Sequence, residues 1–388
     1  MKRIYLFGIL AIVAALAAAA CSSDAAAPSG STSSSGIVAS PIPVLVVSDS
    51  PGSFTRIDDM KSLRESPGTV TLHDGRVLVT GGRGRGTGGF WLNYEFGTEI
   101  FDLVTNKWTL TGETITAHAG AITVVLADGR VLTAGGEGEQ NIPIVESEIW
   151  DPATGEWTST GPMNEGRDLT SGVLLPDGRV FVAGGRSEEL GLMDSAEIFD
   201  PETNEWTLVA PMIERRMSNT VTVLDDGRVL ITGGGKVDPP YSKTGEVYDP
   251  ATDTWTLAGE MTSSRTSHSA TKLDDGRVLV VGGRGKRVNS DIWDPATATF
   301  TPSGNTNEPR SVHDAILMPS GKVLLIGGIG KRDSSETWDP VTGEWSIEGI
   351  MDNARYNYGS AQLIDGRVLV VGGNGIEGVL ASAEIYAP

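Results

Sequence analysis

The chain repeats one pattern of apolar and polar residues seven times. In each copy an Asp-Gly-Arg turn, or Ser-Gly-Lys in one case, separates two apolar runs, and the second run ends in a Gly-Gly pair. Asp-Gly between apolar runs predicts a β-hairpin. The second run, for example residues 180–183, is apolar on both faces, so it needs a covering layer on each side. The double glycines begin at residues 81, 135, 184, 233, 282, 327 and 372.

Two further strands follow each double glycine. After a loop of variable length comes an acidic, apolar and aromatic run, as in Glu197-Ile198-Phe199-Asp200, and then a short turn and a run that carries a Trp or, once, Phe300. Seven four-stranded sheets that must be covered on both faces predict an all-β, seven-bladed β-propeller. Gly-Gly would allow close backbone approach near the axis, and the Trp side chains would fill the wider outer gaps.

The order double glycine, aromatic residue, Trp resembles the kelch repeat, and the resemblance extends over residues 54–386. It implies a propeller of the kelch and galactose oxidase-like superfamily, with four-stranded kelch-type blades. Mild departures are Leu103 after Asp102, Phe300 in a Trp position and Ala387 in an Asp position.

The ring is predicted to close by a strand from the N-terminal side. The last copy ends after its third strand, whereas Gly52-Ser53-Phe54-Thr55 keeps a constant offset from Gly155-Glu156-Trp157-Thr158. Residues 53–58 should therefore become the outer strand of the blade formed by residues 355–386, which removes a free sheet edge. The apolar run Val44–Val47 has no predicted place.

The N-terminal residues predict export. Lys2 and Arg3 precede an apolar stretch over residues 4–20, as in a signal peptide of residues 1–20. Ala18-Ala19-Ala20-Cys21 resembles the bacterial lipobox, which implies a lipid on Cys21 and an anchor in the cell membrane or outer membrane, outside the cytoplasm. Residues 21–43 would then be the lipidated Cys and a flexible Ser-, Ala-, Gly- and Pro-rich tether, and residues 44–388 the propeller. The alternative is an uncleaved membrane helix, for which 17 apolar residues are marginal.

Charge restricts the partners. The 388 residues contain 30 Lys and Arg against 50 Asp and Glu, a net charge of −20. Nucleic-acid binding needs a basic footprint, so we expect no nucleic-acid partner. Cys21 is the only cysteine, so no disulfide is expected within the propeller.

One basic residue precedes each double glycine by 17 positions, on the face that carries the variable loops. These residues are Arg64, His118, Arg167, Arg216, Arg265, Arg310 and Arg355. They could form a ring at the channel mouth that binds carboxylates of a protein or an acidic glycan. The alternative is that they pair with the acid that opens each third strand, namely Glu99, Glu148, Glu197, Glu246, Asp291, Glu336 and Glu384.

Resemblance to propeller enzymes adds one alternative. Galactose oxidase, which is kelch-like, uses copper and a Tyr bonded to a Cys, and the only Cys here lies in the leader, so we expect no such cofactor and no metal. Similarity to the sialic-acid epimerases of bacterial envelopes implies acid–base candidates in His268, His313, Asp314, Tyr356 and Tyr358. We therefore expect a monomeric, non-catalytic binding propeller that uses the basic ring with His268, His313 and Tyr358. A sugar-modifying enzyme and a purely structural scaffold remain the alternatives.

Overall fold

A computed structural model of the chain describes residues 52–85, 92–235, 241–285, 289–330 and 333–388. The predicted leader, Cys21, the tether and Val44–Val47 lie outside the described residues, so these predictions stay predictions. Within the described ranges, the longest helix is far too short to cross a bilayer.

Seven four-stranded antiparallel sheets form a seven-bladed propeller, which confirms the predicted fold. Strand order within each blade runs from the innermost strand to the outermost. Blade 1 comprises Gly68–Thr71, Val77–Thr80, Gly97–Asp102 and Lys107–Glu113, and blade 2 comprises Ile122–Val125, Val131–Ala134, Ser147–Trp150 and Trp157–Ser159. Blade 3 comprises Ser171–Leu174, Val180–Ala183, Ala196–Asp200 and Glu205–Val209, and blade 4 comprises Thr220–Val223, Val229–Thr232, Thr244–Asp249 and Thr254–Glu260. Blade 5 comprises Ser269–Lys272, Val278–Val281, Asn289–Asp294 and Thr299–Asn305, and blade 6 comprises Asp314–Leu317, Val323–Ile326, Ser334–Trp338 and Trp345–Ile350. Blade 7 comprises Gly359–Gln362, Val368–Val371, Ala383–Ala387 and Ser53–Ile57.

Shorter elements decorate the face that carries the loops after Gly-Gly, which we call the loop face. Within the described residues they are four two-stranded ribbons and one 3-10 turn. The ribbons pair Arg83–Arg85 with Leu92–Tyr94, Arg186–Ser187 with Gly191–Leu192, Arg265–Thr266 with Arg284–Gly285, and Arg310–Ser311 with Ile329–Gly330, and the 3-10 turn is Glu139–Asn141.

The hydrophobic core is divided among the seven interfaces between neighbouring blades. Each interface holds one cluster of buried apolar side chains. Between blades 2 and 3, for instance, Leu132 and Ile149 pack with Val180 and Trp206. The second strand of every blade is buried along its whole length, because its two faces contribute to two different clusters. This arrangement explains why that strand is apolar on both faces.

The predicted closure of the ring is confirmed. Ser53–Ile57 pairs antiparallel with Ala383–Ala387, and Phe54 lies opposite Tyr386. The centroids of the two aromatic side chains are 5.1 Å apart. The first described strand of the chain therefore completes the sheet that contains the last one.

The double glycines are required where neighbouring blades meet. Gly184 and Gly185 have φ of +73° and +106°, which favour glycine. A Cβ on Gly184 would lie 2.6 Å from the carbonyl oxygen of Arg216 in the next blade. A larger residue would therefore separate the blades at this point.

Candidate functional site

The six arginines of the predicted ring are buried, and none is more than 1% exposed. Arg310 shows the common arrangement. Its Nη1 donates a hydrogen bond to the carbonyl oxygen of Gly327 at 3.1 Å, and its Nη2 donates to Glu336 at 2.6 Å. In the other five blades the distance from Nη2 to the paired acid is 2.5–3.0 Å.

The paired acids also hold the segment that crosses from the preceding blade. Glu336 accepts hydrogen bonds from the backbone N–H groups of Asn307 at 2.6 Å and Glu308 at 3.2 Å. The acids of the other blades accept one or two equivalent bonds. The basic residue, its acid and the carbonyl of the first glycine thus form one unit per blade, which we call the interblade clamp.

Each clamp is also bonded to the preceding blade. The N–H of Gly283 donates to the carbonyl oxygen of Arg310 at 2.9 Å, and all seven junctions contain this bond. The geometry supports the pairing hypothesis for the basic ring. Anion capture would need guanidinium groups that reach the channel, so the six arginines are reassigned from the expected ligand site to the scaffold.

His118 takes the place of the arginine in blade 2 and is also buried. Its Nδ1 lies 2.9 Å from the carbonyl oxygen of Gly135, and its Nε2 lies 3.1 Å from Glu148 Oε1. A carbonyl oxygen only accepts, so Nδ1–H is the donor in the bond to Gly135. Burial raises the pKa of Glu148, but hydrogen bonds from His118 and from the backbone outweigh burial, so the net pKa is lowered. His118 thus bonds the same two kinds of partner as the clamp arginines, the carbonyl of the first glycine and the acid.

A cavity of about 500 Å³ occupies the channel mouth on the loop face, mostly against blades 3 to 7. All five acid–base candidates line it, namely His268, His313, Asp314, Tyr356 and Tyr358. The fold therefore brings together all five side chains proposed from the sequence.

The two cavity histidines are neutral members of the wall. His268 Nε2 lies 2.8 Å from Thr232 Oγ1, and His313 Nε2 lies 3.0 Å from Ser269 Oγ. Burial, followed by nearby arginines, lowers the pKa of His268 well below its usual value and that of His313 to about 3. Neither ring is charged at neutral pH.

These histidines predict a loss of stability on mild acidification. Both bind a proton near pH 6.5 when the chain is unfolded but not when it is folded. The free energy of unfolding should therefore fall as the pH drops below about 6.5, by up to ~1.4 kcal/mol per pH unit for each histidine. Urea unfolding between pH 7 and pH 5 measures this slope. The double variant His268→Gln, His313→Gln should have a shallower slope, and an unchanged slope would contradict the assignment.

Asp314 and Tyr358 are adjacent in the wall. Tyr358 Oη donates to the carbonyl oxygen of Ile326 at 2.6 Å and accepts from the N–H of Asp314 at 3.1 Å. The carboxylate of Asp314 accepts from Ser360 at 2.8 Å. Burial raises the pKa of both Asp314 and Tyr358. The Tyr358 hydroxyl thus both donates and accepts a hydrogen bond to backbone groups of the protein. By contrast, Asp314 Oδ1 has no hydrogen bond within the described ranges.

A belt of seven backbone positions surrounds this cavity, each two residues after the basic residue of a clamp. All have φ between +50° and +63°: Ser66, Gly120, Leu169, Ser218, Ser267, Val312 and Asn357. This conformation costs a residue with a side chain about 1–2 kcal/mol. Backbone hydrogen bonds between neighbouring belt residues, such as Val312 N–H to Ser267 O at 2.9 Å, offset part of that cost.

Ion pairs cover one half of the mouth above the belt. Arg83 donates to Glu65 at 2.9 Å and also to Glu137, and Arg186 donates to Glu137 at 3.2 Å and to Asp168 at 3.0 Å. This chain of alternating charges joins blades 1, 2 and 3. Burial raises the pKa of Glu137, the acid that both arginines share.

The other half of the mouth lacks such a network in the part of the chain that the structure describes. Arg284 is the blade 5 counterpart of Arg83 and Arg186, but Thr266 faces it where the other two face Glu65 and Asp168. Arg284 is half-buried and lines the cavity. Within the described residues its guanidinium group makes no hydrogen bond and no ion pair.

No group of three or more His, Cys, Asp or Glu residues in the described ranges is arranged to hold a metal ion. Arg284 is one of several basic residues that follow the double glycines, and the sequence did not single it out among them as a site residue. A signal was present, because the residue after each clamp arginine is acidic in blades 1 and 3 (Glu65, Asp168) and is Thr266 in blade 5. Comparing these positions with those that follow Gly-Gly would have identified the unpaired arginine.

Residues 121–328, more than half of the chain, match the KLHDC2/KLHL20/DRC7 Kelch-repeats domain. The chain is a kelch-repeat propeller and belongs to this family, a type of domain that typically binds proteins. Its fold is similar to that of a solved fungal structure described as a novel alcohol oxidase with catalytic diversity among the AA5 family, in complex with copper. The TM-score is 0.67 at 20% identity over 87% of this chain and 76% of that one, a likeness of fold alone. No curated protein matches the sequence.

Proposed function

We propose that this protein is a non-catalytic binding propeller, exported and held on the cell envelope by a lipid on Cys21, which recognises a protein partner through its loop face. Kelch propellers generally mediate protein interactions. The leader and the lipobox-like sequence before Cys21 support the placement on the envelope.

One contrast supports the choice of face. The clamps repeat almost unchanged in all seven blades, whereas the loops above them differ in length and surround the central cavity. Variable loops on a rigid scaffold are the usual place for recognition. This face also exposes apolar side chains in its loops, with Leu190 53% and Ile376 83% exposed.

Site-specific photo-crosslinking on intact cells tests the proposal. A photoreactive amino acid at position 190 or 376 should give a discrete adduct with one partner protein. Val104 and Val341 are the matched controls, because they are apolar, strongly exposed and located in the turns of the opposite face. Adducts of equal yield from both faces, or from the opposite face alone, would contradict the proposal. In the same cells, Cys21→Ser should move the protein out of the membrane fraction.

A second candidate is a sugar-modifying enzyme that acts on an acidic sugar. It is favoured by the convergence of His268, His313, Asp314, Tyr356 and Tyr358 on one cavity. His268 and His313 are neutral, and the Tyr358 hydroxyl already bonds two backbone groups, so these side chains are poorly placed for proton transfer to a ligand. Binding is therefore the better supported function. Exchange between anomers of an acidic sugar, followed by NMR, would reveal the enzymatic alternative.

A further inference from the structure

The cavity at the channel mouth contains an unpaired guanidinium group and a carboxylate with an unpaired oxygen, within the described residues. Among the described residues that line it, Arg284 is the only permanent cation and Asp314 the only carboxylate, since His268 and His313 are neutral. The Arg284 guanidinium has no partner within the described ranges, and Asp314 uses only Oδ2, which accepts from Ser360. A ligand that fits both must carry an anionic group at one end and a hydrogen-bond donor at another.

The asymmetry of the mouth places this pair in the accessible half. Across blades 1 to 3, Arg83 and Arg186 form ion pairs with Glu65, Glu137 and Asp168. The cavity lies mostly against blades 3 to 7, where the described residues form no such network. A half-buried guanidinium group without a protein partner loses part of its favourable hydration free energy. A bound carboxylate would offset this loss through two parallel hydrogen bonds.

The rest of the wall favours a ligand with several hydroxyl groups. Hydroxyl side chains from the segments of blades 1, 3, 4 and 5 line the cavity, namely Ser66, Thr170, Ser171, Ser218, Thr220, Thr266 and Ser267. Tyr356 and Tyr358 add aromatic surface. The volume of about 500 Å³ lies within the range of small-molecule sites. A polyanion fits poorly, because Arg284 is the only permanent cation among the described residues of the wall.

We propose that this cavity binds a single sugar acid, a hexuronate-sized monosaccharide, whose carboxylate pairs with Arg284 and whose hydroxyl groups donate to Asp314. This binding is independent of the protein contact proposed for the surrounding loops, so either can fail without the other. Arg284 and Asp314 act as binding residues and have no catalytic role in the proposal.

Calorimetric titration of the full chain with D-glucuronate and D-galacturonate tests the site. At least one hexuronate should bind, and D-glucose and D-galactose should bind about tenfold more weakly or not at all. Arg284→Gln should weaken hexuronate binding about tenfold or more while leaving neutral sugars unaffected. Arg277→Gln is the control, because Arg277 is partly exposed and paired with Asp275 on the opposite face. It should bind as the unmodified protein does.

Asp314→Asn provides a second, nearly isosteric test. Weaker hexuronate binding together with an unchanged thermal midpoint would support the role of Asp314 as acceptor. The proposal is overturned if no hexuronate binds, if neutral hexoses bind equally well, or if Arg284→Gln has no effect. Preferential binding of an amino acid such as glutamate would also overturn it. The crosslinking experiment on loop residues is unaffected by any of these results.

Discussion

An Arg310→Gln variant is expected to lose about 3–5 kcal/mol of stability. The substitution removes the bonds from the guanidinium to Gly327 and Glu336 and leaves the Glu336 carboxylate buried without its counter-ion. Chemical unfolding monitored by Trp fluorescence measures the change. The loss should be much greater than that of a surface ion pair, because both partners are fully buried.

Arg277→Gln is the matched control for this loss. Arg277 pairs with Asp275 in an Asp-Gly-Arg turn, but both side chains are at least one-third exposed. We expect a change within about 0.5 kcal/mol. A loss in Arg310→Gln no larger than that in Arg277→Gln would contradict the assignment of Arg310 to a clamp. Arg310→Lys should be intermediate, since Lys keeps the charge but lacks the planar fork.

Removal of the closing strand should have the largest effect on the fold. A chain that begins at residue 59 lacks Ser53–Ile57, exposes the edge of Ala383–Ala387 and removes the contact of Phe54 with Tyr386. The loss should approach the whole stability of a typical domain, about 5–15 kcal/mol. Comparison of thermal unfolding of residues 59–388 with that of residues 43–388 measures it.

A peptide of residues 49–60 provides the control for truncation. If the strand acts by pairing, the added peptide should raise the unfolding midpoint of the truncated chain in a concentration-dependent way. The same peptide with Phe54→Asp should have little effect, because the charge would enter the space beside Tyr386. A truncated chain that unfolds at the same temperature as the longer one would show that the ring does not depend on this closure.

Much of the fold could be predicted from sequence because each blade repeats the same pattern of glycine, apolar and aromatic residues. The Gly-Gly pairs, the apolar second strand and the offset that placed Phe54 in a Trp position all follow from local pattern and repetition. The pairing of Arg310 with Glu336 could be proposed as one of two hypotheses, since both residues recur in register. Sequence alone could not decide between them, because the direction of a guanidinium group depends on packing.

The candidate site was less predictable because it depends on differences between blades. Arg83, Arg186 and Arg284 occupy equivalent positions, yet only Arg284 lacks a side-chain partner in the described chain. That difference comes from residues on neighbouring segments, such as Glu137 in blade 2, which contacts arginines of blades 1 and 3. Val312 in the left-handed region was equally unforeseen, since a β-branched residue is rare there.

The substitution of His118 for arginine gives the seven-membered circle one seam of a different kind. Six junctions are fastened by guanidinium groups, each of which makes three or more hydrogen bonds. The seventh, between blades 1 and 2, is fastened by an imidazole, which bonds only Gly135 and Glu148 within the described residues. Because fewer bonds hold the crossing segment at this seam, local opening of the propeller should begin there.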